Sequence, residues 1–182
     1  MSRSPAPAGT PPNPHVCARC AAGRPGCCVL KPGEEKIVFP LFPEEVERIS
    51  AYLGHRRWLA QEPNRPEFVQ VMKRMFPLDQ AAVEALFPPG GGHYRLGTDS
   101  GGRCVFLEDE GCCLPREIRP YHCRIFPLWM RGRRLMVLEA ECLARREAKT
   151  LEELLQSLGT SGPEVRELFR RMRRAWGLPP VA

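Results

Sequence analysis

Cysteine spacing constrains the fold of this chain more than any other feature of its sequence. The 182 residues include nine cysteines, and eight of them form a spaced set of two clusters and one later residue. The first cluster is Cys17, Cys20, Cys27 and Cys28, the second is Cys104, Cys113 and Cys123, and Cys142 follows. Thiols in this number either pair as disulfides or hold a metal, and either choice draws distant parts of the chain together.

The rest of the sequence favours metal over disulfides. The N-terminal segment lacks the apolar stretch of a secretory signal peptide, and no segment approaches the roughly 18 apolar residues that a membrane span requires. We therefore expect a cytoplasmic protein with no membrane partner, in which the thiols stay reduced. An odd number of cysteines also suits a disulfide framework poorly.

Net charge is a weaker guide to partners. The formal charge of +6 treats every cysteine as neutral, whereas metal-bound cysteines are thiolates and lower that charge. The densest basic run is Arg170, Arg171, Arg173 and Arg174. We interpret it as the solvated face of a helix, with a phosphate-binding face, and hence a nucleic-acid partner, as the alternative.

The patterns of proline, glycine and apolar residues predict one small α+β domain. Short strands and a hairpin carry the cysteines, and several helices pack around them. Residues 1–14 are rich in proline and poor in apolar bulk, which predicts a disordered tail. We expect residues 15–148 to form the cysteine-cluster domain, and residues 149–178 to form a helical pair packed on the same domain.

Local sequence patterns predict where the individual helices and strands lie. Helices are predicted over residues 43–53, 67–76 and 79–87, and strands over residues 35–39, 93–96, 103–107 and 134–138. A hairpin is expected to turn near Arg131-Gly132. Capping boxes at Thr150–Glu153 and Ser161–Glu164 open the last two helices.

The first cluster has the spacing of metal ligands. Two residues separate Cys17 from Cys20, so both sulfurs can reach one ion from a tight turn. Glycine and proline follow closely, and we predict a loop across the whole cluster. Cys27 and Cys28 are adjacent, and neighbouring side chains in extended backbone point to opposite sides. Either Cys27 and Cys28 bind two different metal centres, or one of them is a metal ligand while the other packs against the protein or is a spare thiol.

The second cluster is expected to form around a turn. Cys104 is predicted to lie at a strand, and a turn over residues 108–111 brings Cys112 or Cys113 back towards it. Arg119 and Arg124 flank these thiols and could donate charge-assisted hydrogen bonds to metal-bound sulfur. His122 could be a further ligand, although a histidine beside a ligand more often packs or hydrogen-bonds.

At these residues the chain resembles the YkgJ-type cysteine-cluster proteins, known as the CxxCxxCC putative zinc- or iron-chelating domain. The resemblance covers residues 17–142 and rests on the first cluster, Cys104-Val-Phe-Leu107, Gly111-x-Cys113, Arg119-Pro120-x-x-Cys123-Arg-Ile-Phe-Pro127 and Cys142. In that pattern Cys113 is the ligand and Cys112 is an extra cysteine. Six residues separate Cys20 from Cys27, which is longer than usual, and Cys142 lacks the glycine-rich stretch that commonly follows it.

The resemblance implies zinc or an iron–sulfur cluster bound by the eight cysteines, with the metal structural or stored. A flagellin lysine N-methylase is similar in its cysteine motifs, so an iron–sulfur redox or methyl-transfer enzyme is the second possibility. A zinc-supported nucleic-acid or protein adaptor is the third. Thiolate ligands exclude magnesium and calcium, but the sequence does not decide between zinc and iron, or whether the protein is an enzyme.

Overall fold

The computed structural model describes residues 15–23, 26–30 and 39–180, which form a mixed α+β single domain. Within these residues there are eight helices and three antiparallel sheets of two strands each. The helices are α1 (Val16–Gly23), α2 (Pro43–Leu53), α3 (Pro66–Met75), α4 (Gln80–Leu86), α5 (Tyr121–Ile125), α6 (Leu143–Glu147), α7 (Leu151–Ser157) and α8 (Gly162–Ala175).

The strands form three separate hairpin-like pairs. They are β1 (Leu59–Pro63) with β2 (Gly92–Leu96), β3 (Leu107–Glu108) with β4 (Gly111–Cys112), and β5 (Leu128–Arg131) with β6 (Arg134–Val137). Small sheets of this kind are not stable alone and need helices packed against them. Among the helices of the described segments, none combines the length and apolar character needed to cross a bilayer.

Two apolar cores support the fold. The larger core joins α3, α4 and α8 to strand β5, and includes Phe68, Trp129 and Leu168. The smaller core lies under α2 and includes Ile49, Trp58 and Phe106. Burying one such side chain contributes about 1.5–3 kcal/mol, so these two cores supply the main favourable contribution to folding.

Cysteine residues pack against both cores. Cys17 and Cys142 contact the larger core, whereas Cys104 and Cys112 contact the smaller one. The candidate site therefore lies where the two cores meet, and its side chains come from segments far apart in the sequence.

The C-terminal helices begin where the capping boxes predict. The Thr150 side chain accepts a hydrogen bond from the Glu153 N–H at 3.1 Å, and the Ser161 side chain accepts one from the Glu164 N–H at 3.3 Å. Apolar residues of α7 and α8 belong to the larger core. The predicted helical pair is thus packed on the same domain.

Most predicted elements are confirmed, with small shifts at their ends. The helices at 43–53, 67–76 and 79–87 correspond to α2, α3 and α4, and the predicted hairpin corresponds to β5 and β6. The strand predicted over 103–107 is wrong for most of its length, because Arg103 and Cys104 make only isolated bridges to Val29 and Thr98. The predicted tail at 1–14, and the strand at 35–39 apart from Phe39, lie outside the described residues.

Candidate metal centre

The first two cysteines lie on a helix, so the predicted loop across the whole first cluster is wrong. Cys17 and Cys20 are three residues apart on α1, and residues at that spacing share one face of a helix. Val16 anchors α1 in the larger core. Arg19 also donates two hydrogen bonds to the Glu147 carboxylate, at 2.8 and 2.7 Å, which ties α1 to α6.

A glycine allows the next two thiols to approach α1. A Cβ atom on Gly26 would lie 2.1 Å from the carbonyl oxygen of Glu141 and 3.6 Å from the sulfur of Cys20. A side chain at this position would therefore clash with the Glu141 carbonyl, whereas its distance to the Cys20 sulfur is an ordinary contact. This turn also joins the second cluster, because the Cys28 carbonyl accepts a hydrogen bond from the Cys104 N–H at 2.8 Å.

The β3–β4 hairpin brings the second cluster against α1. Cys112 pairs with Leu107 across this hairpin, as the predicted turn at 108–111 requires. Gly111 has a φ of +105°, and a Cβ there would lie 3.3 Å from the Cα of Ala18. Glycine is thus needed at this position both for the backbone conformation and for close contact with the helix.

One recess is lined by five of the cysteines. It has a volume of about 40 Å³. Its cysteines are Cys17, Cys20, Cys27, Cys28 and Cys142. Cys142 directly precedes α6, and Glu141 contributes to the same wall. The structure therefore brings Cys142 and the whole first cluster together.

Cys28 occupies the electrostatic centre of the thiols. Its negative charge raises the pKa of five other cysteines. These are Cys17, Cys27, Cys104, Cys112 and Cys123. Cys28 itself lines the recess, and its carbonyl accepts the hydrogen bond from the Cys104 N–H, so this residue links the recess to the second cluster.

Burial and hydrogen bonding divide the thiols into two kinds. A hydrogen bond from Cys27 lowers the pKa of Cys28 to about 7, with a further contribution from the positive charge of Arg119. The same bond, followed by burial, raises the pKa of Cys27 well above its usual value. Burial raises the pKa of Cys17 to about 11 and that of Cys104 to about 12. Cys28 is thus a readily ionised thiol near Cys17 and Cys104, whose pKa values burial raises.

Cys123 and His122 form one edge of the site. Cys123 is exposed to solvent by surface area. Many protein atoms nevertheless surround its thiol, and this burial raises its pKa well above the usual value. A side chain that lines a concave surface can be both exposed and surrounded in this way. His122 Nε2 lies 3.4 Å from the Cys123 sulfur, and the ring stacks on Phe39 at 5.0 Å. Burial lowers the pKa of His122 to about 3, so the imidazole is neutral.

The two neighbours at 112 and 113 have different surroundings. Cys112 is within electrostatic range of Cys28 and Cys123. Cys113 is exposed, and after the effect of burial its pKa is raised chiefly by Glu108. Its charge also raises the pKa values of Cys104 and Cys112. The assignment of Cys113 as the ligand stays a prediction, and the structure brings forward Cys112 as a candidate beside it. Adjacent residues of a strand face opposite ways, but the sequence does not say which of the two faces inward.

The two flanking arginines occupy different places. Arg119 donates to the carbonyl oxygens of Leu114 and Cys112, at 2.8 and 3.1 Å, and its charge lowers the pKa of both Cys17 and Cys28. Arg119 therefore acts on these thiols through its positive charge, while its side-chain hydrogen bonds go to carbonyl oxygens. Arg124 has Arg48, Arg116, Glu164 and Tyr121 as its electrostatic partners, and no cysteine is among them. A hydrogen bond from Arg124 to metal-bound sulfur stays a prediction.

The thiols are gathered but do not form a closed ligand shell. In the ranges 15–23, 26–30 and 39–180, no three His, Cys, Asp or Glu side chains are arranged so that they could hold a metal ion as they stand. The nine cysteines, all of which lie in the described segments, form no disulfide bond. Their donor chemistry suits a thiophilic metal, and binding would require the side chains to draw closer.

Comparisons with known proteins do not assign the chain. No protein-family model matches it, and neither the curated proteins nor the solved structures include a match. The resemblance to the YkgJ-type family therefore stays a prediction that rests on the cysteine motifs.

Proposed function

We propose that this protein binds zinc or an iron–sulfur cluster through its clustered cysteines. The observation that carries the proposal is the recess lined by five cysteines from three chain segments, Cys17, Cys20, Cys27, Cys28 and Cys142. A cysteine can pack as a small apolar side chain, but five thiols that line one recess also form the donor set that a soft metal prefers.

Two neighbouring metal positions are the arrangement that the surroundings favour. Cys17, Cys20 and Cys142 line the recess on one side of Cys28, and Cys104, Cys112 and Cys123 lie within its electrostatic range. The adjacent Cys27 and Cys28 can then serve both positions. Zinc held there would act as a folding staple, and an iron–sulfur cluster would supply redox chemistry.

The basic C-terminal helix gives little support to the adaptor function. Arg173 is buried and paired with Asp79, with both side chains 7% exposed. Arg170 and Arg171 both pair with Glu167. These contacts favour a structural role for the three arginines. Arg170 and Arg171 lie on a solvated helix face, as predicted, whereas the prediction is wrong for Arg173, which is buried. A cytoplasmic location, where thiols stay reduced, belongs to the same proposal.

The decisive experiment is anaerobic purification followed by metal analysis and a visible spectrum. Iron with acid-labile sulfide and a brown colour would identify a cluster, whereas a colourless protein with zinc would identify a zinc site. The variant Cys28→Ser is expected to lose metal under both outcomes. A reduced protein that retains neither metal, and takes up neither Zn²⁺ nor a reconstituted cluster, would refute the proposal.

Metal uptake should release protons and strengthen with pH. The thiols of Cys17 and Cys104 have raised pKa values of about 11 and about 12, so they are protonated until a metal displaces the proton. Zinc affinity is therefore expected to rise between pH 6 and pH 8, by up to about tenfold per unit for each such thiol. A competitive zinc indicator and a pH dye in weak buffer measure the two effects. Affinity that does not change with pH would mean that these thiols are not ligands.

A further inference from the structure

A cavity separate from the thiols lies between the end of α3, the β5–β6 hairpin and α8. It has a volume of about 290 Å³, and none of the described residues that line it is a cysteine. Small-molecule sites begin at about 300 Å³, so the cavity is large enough for a small ligand. We name it the α8 cavity and define it by Met75, Phe76, Met130, Arg131, Phe169 and Arg173.

The floor of the α8 cavity is apolar and aromatic. Phe76 and Phe169 belong to the larger core, and their rings stack with centroids 6.3 Å apart. Met75 and Met130 border the same space, and methionine sulfur makes favourable contacts with aromatic rings. The floor therefore suits an apolar group, and an aromatic one in particular.

An exposed apolar side chain extends this surface at the rim of the cavity. Leu78 is 79% exposed, which is the highest value among the large apolar side chains of the described residues. It lines the cavity together with Pro77 and Pro180. Apolar surface that is left open beside an apolar cavity is typical of a ligand-binding groove.

A buried ion pair fixes another wall of the cavity. Arg173 donates to both carboxylate oxygens of Asp79, at 2.7 and 2.9 Å, and to the Pro179 carbonyl at 3.1 Å. Both charged side chains are 7% exposed. Their charges compensate each other, so this wall is rigid and adds no net charge to the cavity.

Uncompensated positive charge lies at the mouth of the cavity. Arg131, which lines it, stands directly opposite Arg134 in the β5–β6 hairpin. Opposed residues of an antiparallel pair extend from the same face, and like charges at such positions destabilise the hairpin. Both arginines are exposed, and within the described segments neither side chain forms an ion pair or hydrogen bond. A bound anion would relieve this repulsion.

The acidic residues of the neighbouring helices are already paired. Glu84 on α4 pairs with Lys73 at the end of α3. Glu167 on α8 pairs with Arg170 and Arg171. The β5–β6 hairpin itself contains no acidic residue. The mouth of the cavity therefore keeps a net positive charge, which favours an anionic ligand.

We propose that the α8 cavity binds a carboxylate whose apolar body has about ten carbon atoms. The cavity volume of about 290 Å³ is about twice that of a cavity that holds one benzene molecule. The apolar body would lie on Phe76 and Phe169, and the carboxylate would accept paired N–H donors from Arg131 at the mouth. Since Arg173 is held by Asp79, Arg131 is the unpaired cation of the lining. The site does not depend on the proposed metal.

Titration of naphthoate and of decanoate into the purified protein tests this site. Calorimetry at low ionic strength is expected to show saturable binding of at least one of them, with a Kd below about 1 mM. The two compounds distinguish an aromatic body from an aliphatic one. Naphthalenemethanol has the same rings as naphthoate without the charge, and it is expected to bind at least about threefold more weakly.

Two substitutions locate the binding, and a third is the matched control. Arg131→Gln should weaken carboxylate binding at least about threefold and leave naphthalenemethanol binding unchanged, because it removes only the charge. Met75→Trp fills part of the cavity and should weaken the binding of both compounds. Arg57→Gln removes an exposed arginine between α2 and β1 and should change neither affinity. Circular dichroism confirms that each variant is folded, and if Met75→Trp does not fold, Arg131→Gln alone carries the test.

Three titration results would overturn the proposal. These are the absence of saturable binding by both carboxylates, equal affinity for naphthoate and naphthalenemethanol, and equal effects of Arg131→Gln and Arg57→Gln. Sedimentation equilibrium adds a further check. A dimer that Leu78→Ser dissociates would mean that a second copy of the chain covers the cavity, and this result would also overturn the proposal.

Discussion

Cys112 and Cys113 have almost the same place in the chain but different surroundings. Cys112 lies in β4, opposite Leu107 and within range of the other thiols. Cys113 follows the strand, is exposed, and lies near the negative charge of Glu108. The spacing of the cysteines does not distinguish Cys112 from Cys113, because the two residues are adjacent and differ by only one position in their distance from every other motif.

Serine substitutions at these two positions make a matched pair. We expect Cys112→Ser to weaken zinc binding at least about tenfold. Loss of even a side chain that only supports a metal ligand commonly lowers metal affinity by that factor. Cys113→Ser should have a smaller effect, because its thiol is exposed and lies beside a carboxylate. Competition with a zinc indicator measures both. The reverse order would support the motif-based assignment of Cys113.

Glu45 is a buried carboxyl group that the sequence pattern did not single out. It is 1% exposed and accepts hydrogen bonds from the N–H groups of Tyr121 and Phe42, at 2.9 and 3.2 Å. These bonds join the start of α2 to the start of α5. Burial raises the pKa of Glu45 to about 7, although both hydrogen bonds oppose the change.

Substitution of Glu45 by glutamine should change how stability depends on pH. Because the folded-state pKa is raised, the folded protein holds a proton that the unfolded chain loses near pH 4.5. This stabilisation is fully present below that pH and is lost as the pH rises through about 7. The wild-type free energy of unfolding should therefore fall, relative to Glu45→Gln, by about 3 kcal/mol between pH 4.5 and 7.5.

Urea denaturation of both proteins at matched metal content measures that difference. His93 and His122 also have pKa values lowered by burial, and they reduce stability at acidic pH. Both histidines are present in each protein, so their effect cancels in the comparison. A difference between the two proteins that is constant over this pH range would show that Glu45 ionises as it does in the unfolded chain.

At the scale of elements, the packing of α1 on β4 joins the two clusters. Helix α1 has only eight residues and is too short to persist without tertiary contacts. It is held by Val16 in the core, by the pair between Arg19 and Glu147, and by contact with Gly111. The nearby glycines and proline predicted a loop instead of a helix. That prediction was wrong because it considered only local sequence, whereas contacts with distant residues stabilise α1.

Alanine at Gly111 should disturb this junction. Its φ of +105° strains any residue with a side chain, and the new Cβ would press on the backbone of Ala18 at 3.3 Å. We expect a loss of about 2 kcal/mol in the free energy of unfolding, together with weaker metal binding. Chemical denaturation and metal titration measure the two effects.

Gly132 provides the matched control. It has a φ of +58°, and a Cβ atom there would meet nothing within 4 Å. Gly132→Ala should cost about 1 kcal/mol from backbone strain alone and leave metal binding unchanged. Equal effects of the two substitutions on metal binding would mean that contact between α1 and β4 does not shape the site.

At the scale of the whole molecule, a buried ion pair fastens the C-terminal helix to the domain. Arg173 on α8 donates to both carboxylate oxygens of Asp79, at 2.7 and 2.9 Å, and also to the Pro179 carbonyl. Asp79 directly precedes α4. The pair therefore connects α8, α4 and the segment that follows α8.

Removal of Asp79 should be costly because it leaves a buried charge without a partner. We expect Asp79→Ala to lower the free energy of unfolding by about 3 kcal/mol. Glu167→Ala breaks surface pairs with Arg170 and Arg171 and should cost less than about 1 kcal/mol. Denaturant titration compares the two, and similar losses would show that burial does not strengthen the Arg173 pair.

Local sequence signals were sufficient to predict several helices and one hairpin. Amphipathic stripes, proline at a first turn and capping boxes identified α2, α3, α4, α7 and α8, and the glycine turn identified the β5–β6 hairpin. The mixed α+β class followed from these. Residue types and spacing also identified the thiols as candidate ligands, because both are read directly from the chain.

The way in which distant residues combine followed from tertiary packing. The fold brought Cys17, Cys20, Cys27, Cys28 and Cys142 around one recess, and it left Cys113 exposed. These outcomes depend on which faces of short elements are buried. The burial of each face depends on packing in the two cores. The residues that pack together there are far apart in the chain, so a short stretch of sequence does not contain both of them.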